Sequence, residues 1–185
     1  MKFLFYFFIL SSYCFAHPHV FAYTKFDISI EKNILQATLT WSFDEMNSQI
    51  MLMDFDTNKN NAIDQNELKI LKKEAFDQLK EFHYYTFAYQ GNKPLPLSEP
   101  KDFQCFVSGK NIVYKFKVTT TFDIAKNNLK IGSFDTDNLT AFQIDTSSKI
   151  VLQNKSLQNL SLKYTIEDND YYSAEMLSLN WKGAK

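Results

Sequence analysis

Apolar and polar residues alternate along much of the chain, in the pattern of half-buried β-strands. The stretches VFAYTKFDISI and ILQATLTWSF alternate or nearly alternate, are rich in β-branched and aromatic residues, and are separated by EKN. This combination predicts a β-hairpin, because the side chains of a strand point to its two faces in turn. The pattern returns after Phe82 and predicts further strands at YYTFAYQ, FQCFV, NIVYKFKVTTTF, NLKIGSF, LTAFQI, KIVLQ and LSLKYTI.

Between the two groups of strands, the spacing of the apolar residues changes to that of helices. The first series at intervals of three or four is Phe43, Met46, Ile50 and Met53, and the second is Leu68, Leu71, Ala75, Leu79 and Phe82. Such intervals place side chains on one face of a helix. The sequence therefore predicts a mixed α+β fold: a mainly antiparallel β-sandwich with a helix-loop-helix inserted at residues 43–83.

The polar loop DTNKNNAIDQNE between the two helices has the ligand spacing of an EF-hand calcium loop. The six ligand positions are occupied by Asp56, Asn58, Asn60, Ala62 (through its carbonyl), Asp64 and Glu67. The sixth place, usually glycine because the chain turns there with positive φ, holds Asn61, and asparagine also tolerates that conformation. The loop thus predicts bound calcium. Since only three ligands carry charge, we expect weak affinity, about 10⁻⁴ to 10⁻³ M, and a structural role.

The same loop has an interpretation without metal. Asp64 can cap the second helix while Glu67 completes a capping box, in which each side chain accepts a main-chain N–H from the other end of the first turn. The two interpretations are compatible, because Glu67 is able to do either job.

The beginning of the chain has the layout of a secretory signal peptide. Residues 1–16 contain one lysine, an apolar run from Phe3 to Leu10, and small or polar residues that end at Ala16. The apolar run is shorter than the roughly 20 residues that a membrane span needs. We therefore expect residues 1–16 to be removed on export and residues 17–185 to form a single domain that does not span the membrane.

Cleavage after Ala16 would expose a terminus suited to binding a transition metal. His17 and His19 lie two residues apart, so in an extended segment both rings reach one ion, and the free amine of His17 adds a third nitrogen. Zinc, nickel, cobalt and copper all suit such ligands. His83 is a candidate remote ligand, although a histidine there can also simply interact with a helix end. Candidate carboxylates that could complete the site are Asp44, Asp135 and Asp137. The alternative is a terminus whose histidines have no role.

Composition excludes several classes of function. All 20 basic residues are lysine, and without arginine and a basic cluster nucleic acid is a poor partner. Cys105 is the one cysteine that remains after signal cleavage, so we expect no intrachain disulfide. With four glycines and no nucleophile elbow, the chain offers little for catalysis, and a copper enzyme built on the terminal histidines is the less favoured alternative.

Taken together, these motifs resemble a family of bacterial periplasmic domain-of-unknown-function proteins. The resemblance rests on AHPHVF at the signal boundary, WSFDE, DFDTNKNNAIDQNEL, YYTF and DFQCFV, and it spans residues 16–145. Members are described as components of an uncharacterised ABC-type transport system and are often encoded beside, or fused to, nickel/cobalt permease-like membrane proteins. The resemblance implies a periplasmic location, a permease or ABC transporter as partner, and functional roles for His17, His19 and the loop residues.

These observations predict a periplasmic metal-binding accessory protein of a transition-metal transport system, braced by a calcium loop, and not an enzyme. The main alternative is a calcium-stabilised module that docks an envelope partner, in which the histidines play no part.

Overall fold

Two β-sheets, made mostly of antiparallel strands, form the body of the protein in a computed structural model that describes residues 19–152, 157–168 and 172–182. Within these ranges the strands are β1 (Val20–Glu31), β2 (Ile34–Phe43), β3 (Thr86–Gln90), β4 (Lys93–Leu95), β5 (Lys101–Ser108), β6 (Asn111–Thr121), β7 (Asn128–Ser133), β8 (Thr140–Ile144), β9 (Lys149–Leu152), β10 (Gln158–Asp168) and β11 (Ser173–Lys182). The predicted mixed α+β, sandwich-like architecture is confirmed.

The first sheet has the order β5-β6-β2-β1-β8, with β9 also paired to β1, and the second has the order β10-β11-β7-β3-β4. The predicted hairpin is β1–β2, which is in register from Ala22 opposite Phe43 to Glu31 opposite Ile34. Lys32, in its turn, has φ of 53°. β1 pairs in parallel with both β8 and β9, so the first strand is tied to a much later part of the chain.

The alternation of residues explains the core between the sheets. Even-numbered residues of β1 from Ala22 to Ile30 are buried, and odd-numbered residues of β2 meet them. At the centre, the Trp41 ring lies edge-on to Phe116 with centroids 4.9 Å apart and packs against Phe142 at 5.0 Å. Burial of each such side chain stabilises the fold by about 1.5–3 kcal/mol. Cys105 is packed in the same core as a free thiol.

The helical insertion lies between β2 and β3, as predicted. It contains α1 (Glu45–Phe55), α2 (Gln65–Leu71), a π-helical segment (Lys72–Phe76) and a 3₁₀ segment (Asp77–Tyr85). The second helix is therefore shorter than the apolar spacing from Leu68 to Phe82 suggests. The change of helix type brings Phe76 into the core, where its ring stacks on Phe103 at 3.9 Å.

The apolar series that predicts α1 does not face the core. Met46, Ile50 and Met53 are 63%, 50% and 85% exposed. The buried side of α1 is instead centred on Ser48, whose hydroxyl donates to Phe43 O and accepts Ile112 N–H at 2.8 Å. Met51, Leu52 and Phe55 pack against the core from the same side of the helix. Together with the two buried hydrogen bonds, they fix the rotation of the helix and leave the predicted apolar series on the surface.

Two strands lie where no strand is predicted. β4 is a three-residue strand inside the proline-containing turn region, and β11 occupies the segment at the end of the chain for which the pattern predicts no strand. β11 is central, between β10 and β7, and Ala174, Met176, Leu177 and Leu179 are all buried. Because both of its faces are covered, its sequence does not alternate.

In the described ranges, no helix is long and apolar enough to cross a membrane. The predicted signal peptide, residues 1–16, lies outside the described residues, as does His17.

Candidate functional site

The loop between α1 and α2 is organised by its own polar side chains. The Asp56 carboxylate, at the carboxyl end of α1, accepts the main-chain N–H of Asn60 at 3.1 Å and of Asn61 at 2.8 Å. The side chain of Asn58 accepts Asn60 N–H, and that of Asn60 accepts Ala62 N–H. Successive Asx turns therefore curl the loop around the oxygen-bearing side chains that the sequence predicts as ligands.

The sixth loop position has the backbone that an EF-hand requires. Asn61 has φ of 58°, in the left-handed region where glycine is usual, and Lys59 has φ of 59°. Ile63 packs against the main core from the eighth position. Asn61, in the place where the motif usually has glycine, thus makes the same sharp turn.

Glu67 closes the loop from its far end. Asp64 caps α2 by accepting the N–H groups of Asn66 and Glu67, and Glu67 Oε2 accepts Asp64 N–H at 3.0 Å, which completes the predicted capping box. Glu67 Oε1 also accepts Thr57 N–H and Thr57 Oγ1–H, both at 2.8 Å, and Asn58 N–H at 3.3 Å. One buried carboxylate thus joins both ends of the loop.

These donors make Glu67 a stronger acid. The N–H of Asp64 is the largest influence and, with Thr57 and Asn58, lowers the pKa of Glu67 below its usual 4.5 although burial raises it. A carboxylate offers about four lone-pair sites. Three of the four donors meet Oε1 and one meets Oε2, so coordination of calcium by both oxygens of Glu67 requires some of these hydrogen bonds to be exchanged. The donor set fits calcium, but this competition favours the weak affinity expected from its charge.

His19 is held at the start of β1 by its main chain. Its N–H donates to Leu139 O at 2.9 Å, and its carbonyl accepts Asn47 Nδ2 at 3.0 Å. Its side chain is exposed. The imidazole is therefore presented to solvent from a fixed point between α1 and the loop that precedes β8.

Asp44, one of the candidate carboxylates, is close to this point but already engaged. It caps α1 by accepting Asn47 N–H at 2.9 Å, and its second oxygen accepts Phe21 N–H at 3.1 Å and Asn47 Nδ2 at 2.7 Å. Burial raises the pKa of Asp44, but the hydrogen bonds from Asn47 and Phe21 outweigh it and hold that pKa below its usual 3.8.

The other two candidate carboxylates lie in the loop before β8. Asp135 is buried and accepts the N–H groups of Asp137, Leu139 and Thr140, so it organises this loop. Asp137 is exposed. Among the three, Asp137 is the one whose carboxylate accepts no hydrogen bond within the described part of the chain.

His83 lies in a different setting, in an unusual stretch of backbone before β3. His83, Tyr84 and Tyr85 have φ of 54°, 49° and 45°. A left-handed conformation costs about 1–2 kcal/mol at each residue that is not glycine. The His83 ring contacts Phe87, with centroids 5.8 Å apart. The pKa of Tyr84 is raised to about 12 by burial and by Glu99, which accepts its hydroxyl at 3.3 Å.

A cleft of about 750 Å³ adjoins this stretch. It is lined by Lys80, His83, Tyr84, Thr86–Tyr89 and Pro94–Glu99. No sequence motif pointed to it, because its walls come from the helical insertion, β3 and the segment that leads from β4 towards β5.

In the ranges that the structure describes, no three histidine, cysteine, aspartate or glutamate side chains come together tightly enough to hold a metal ion. His19 and His83 are thus not joined with the candidate carboxylates into such a group. Calcium loops also use amide and main-chain oxygens, which Asn58, Asn60 and Ala62 supply here.

Sequence reasoning missed Asn47 and Thr57. Asn47 links α1 to the carbonyl of His19, and its signal was its place three residues after the capping Asp44. Thr57 gives Glu67 two hydrogen bonds from the variable second position of the loop, where no ligand pattern singles it out.

The fold and loop together define a class: a two-sheet β-protein with an EF-hand-like helix-loop-helix inserted after its first hairpin. The chain belongs to the family described as proteins of unknown function (DUF1007), which it matches over residues 2–179. It is also similar to an uncharacterized 15.5 kDa protein in the trpE 3' region of Spirochaeta aurantia. The two are 31% identical over 104 residues, which cover 56% of this chain and 74% of that protein.

Proposed function

We propose that this protein is a periplasmic metal-binding accessory protein of a transition-metal transport system. In this proposal, the EF-hand-like loop holds calcium as a structural clamp. His17 and His19 capture zinc, nickel, cobalt or copper and exchange it with a membrane permease or ABC transporter. The observation that supports the calcium part of the proposal is the loop geometry. Asn61 makes the left-handed turn at φ of 58°, and the side chains of Asp56, Asn58 and Asn60 accept N–H groups of the loop.

The charge of the loop supports calcium. Asp56, Asp64 and Glu67 place three carboxylates within twelve residues, and no ion pair to any of them is found in the described part of the chain. Their carboxylates accept N–H and O–H groups of the loop itself and of the first turn of α2. A divalent cation would neutralise this charge more completely than neutral donors do.

The calcium proposal is tested by thermal unfolding with increasing calcium or magnesium. We expect millimolar calcium to raise the Tm of the wild-type protein, because a ligand that binds only the folded state stabilises it. Asp56→Asn keeps the shape of the side chain but removes its charge, so the shift should fall. Asp145→Asn is the matched control, since Asp145 also caps a turn through Ser147 N–H but lies outside the loop. Equal shifts in both variants would contradict the proposal.

The transition-metal proposal rests on the anchoring of His19. The N–H and the carbonyl of His19 each make one hydrogen bond. A metal-binding residue whose main chain is held in this way loses less entropy on binding than one on a free tail. Asp137 lies two residues before Leu139, the residue that accepts His19 N–H. It is therefore the most available of the three carboxylates to join a metal held by His19.

Titration of the signal-cleaved protein with each ion tests this second part. We expect affinity to fall in His17→Ala and His19→Ala and also on acidification, because imidazoles and the terminal amine must lose protons to bind. His83→Ala and Asp137→Asn then show whether these residues contribute. Unchanged tight binding in the His17 and His19 variants would refute the proposed site.

A second candidate function is a calcium-stabilised interaction module, favoured by the exposed apolar face of α1. Met46, Ile50 and Met53 leave an apolar stripe on the helix that enters the calcium loop. Substitution Met53→Asp would impair this function without affecting metal titration. If bacteria carrying Met53→Asp fail where those carrying His17→Ala and His19→Ala grow normally under metal limitation, the second function is the correct one.

A further inference from the structure

β10 forms an open edge of the second sheet. In the described part of the chain it pairs with β11 alone, and the register runs without interruption from Ser161 opposite Asn180 to Asp168 opposite Ser173. The free side of such a strand presents main-chain N–H and C=O groups that can pair with another strand. No proline or bulge protects the segment from Ser161 to Asp168.

The same edge exposes two large apolar side chains. Tyr164 and Ile166 are 45% and 65% exposed. They point to the core side of the sheet, because they alternate with the outward residues and continue the row of Leu160 and Leu162, which pack against the main core. The Tyr164 hydroxyl donates to Thr146 O at 3.0 Å, but about half of its side chain and most of that of Ile166 remain exposed. The core therefore continues to this edge and is only partly covered there.

The edge is complementary to itself. An antiparallel pair of β10 strands about a two-fold axis perpendicular to the sheet places residues of the same face opposite each other. With the axis at Thr165, Lys163 of each copy lies opposite Glu167 of the other, and Tyr164 lies opposite Ile166. Opposite charges and apolar pairs at such positions both stabilise a sheet. With the axis at Tyr164, Lys163 would instead face Thr165.

The charges available at this edge favour the first register. Glu167 is paired with Lys130 of β7 within the protein, whereas no ion pair of Lys163 is found in the described ranges. In the register centred on Thr165, each Lys163 gains an ion pair with Glu167 of the other copy. Each Glu167 then lies between its own Lys130 and Lys163 of the other copy.

We propose that β10 is the interface of a homodimer, in which two copies pair antiparallel about Thr165 and their five-stranded sheets join into one of ten strands. The occupant of this edge is a second copy of the chain, because its own sequence supplies the complementary charge and the matching apolar residue. The inference goes beyond metal binding and does not depend on it.

Sedimentation equilibrium from about 1 to about 100 μM, where moderate dimers become populated, tests the proposal. We expect a monomer–dimer equilibrium in the wild-type protein. Lys163→Glu and Glu167→Lys each place like charges opposite at two symmetric positions and should weaken the dimer by about tenfold. The double variant K163E/E167K restores both pairs with reversed signs and should recover the dimer.

Lys93→Glu, on the short outer strand β4 at the other edge of the sheet, is the matched control and should leave the dimer unchanged. Circular dichroism establishes that each variant is folded. A wild-type protein that stays monomeric throughout the range would overturn the proposal. So would a dimer that is insensitive to the single reversals, or one that the double reversal does not recover.

Discussion

At the scale of single residues, Glu67 links the two ends of the candidate calcium loop. Its pKa is lowered from 4.5, first by the N–H of Asp64. Because the folded-state pKa is the lower one, the stabilisation from its charge is fully present above pH 4.5 and is lost as the pH falls through the folded value. We expect Glu67→Gln to lower the free energy of unfolding at pH 7, and the difference from wild type to shrink below pH 4.5.

Urea unfolding at a series of pH values without calcium measures this difference. Glu31→Gln, at the exposed end of β1, serves as the control and should show no comparable dependence. A Glu67→Gln deficit that stays constant down to the acid limit would mean that the carboxylate charge is not what stabilises the loop.

Tyr114 differs from Glu67, because its polar group has no hydrogen-bond partner among the described residues. Its hydroxyl is buried, and burial raises its pKa. A buried unsatisfied group costs about 1–3 kcal/mol. Tyr114→Phe should therefore leave the free energy of unfolding unchanged or raise it by about 1 kcal/mol. Tyr84→Phe, which removes a hydrogen bond to Glu99, should not be stabilising.

At the scale of elements, the left-handed stretch from His83 to Tyr85 joins the 3₁₀ segment to β3. Ala in a left-handed position carries a penalty of about 1–2 kcal/mol that Gly avoids, whereas Gly loses about 0.5–1 kcal/mol more in chain entropy. We therefore expect His83→Gly to be more stable than His83→Ala by up to about 1 kcal/mol in urea unfolding. At Lys80, within the right-handed part of the 3₁₀ segment, Ala should be the more stable.

Elements whose apolar residues recur at a regular spacing could be predicted from the sequence. Elements whose position is fixed by contacts with distant residues could not. Apolar and polar residues alternate in β1 and β2 because one face of each strand is buried. The loop from Asp56 to Glu67 could also be predicted, because its oxygen-bearing residues are recognised by their spacing along the chain. β11 shows no alternation because the outer face of its sheet is covered as well. In α1, Met51, Leu52 and Phe55 form a second series at helical spacing that packs on the core, and the hydrogen bonds of Ser48 to residues outside the helix favour that face.

At the scale of the whole molecule, β11 contributes side chains to two hydrophobic cores, the main core between the sheets and a smaller one on the opposite face of the second sheet. Trp181, near its end, is buried, donates its indole N–H to Ile124 O at 3.0 Å and packs edge-on against Phe122. Trp181→Ala should reduce the free energy of unfolding by about 3–5 kcal/mol, because it removes a large buried ring. Trp181→Phe should lose less. A loss below about 1 kcal/mol for Trp181→Ala would show that β11 is not needed for the core.

The parallel pairing of β1 with β8 and β9 sets the order in which the chain is able to assemble. β1 lacks its neighbours on one side until residues 140–152 have been synthesised. Contacts so distant along the chain slow folding, because the intervening loop must close before they form. While a ribosome is still producing the middle of the protein, its first strand has no permanent neighbour on that side. The first sheet can consequently be complete only after residues 140–152 have left the ribosome.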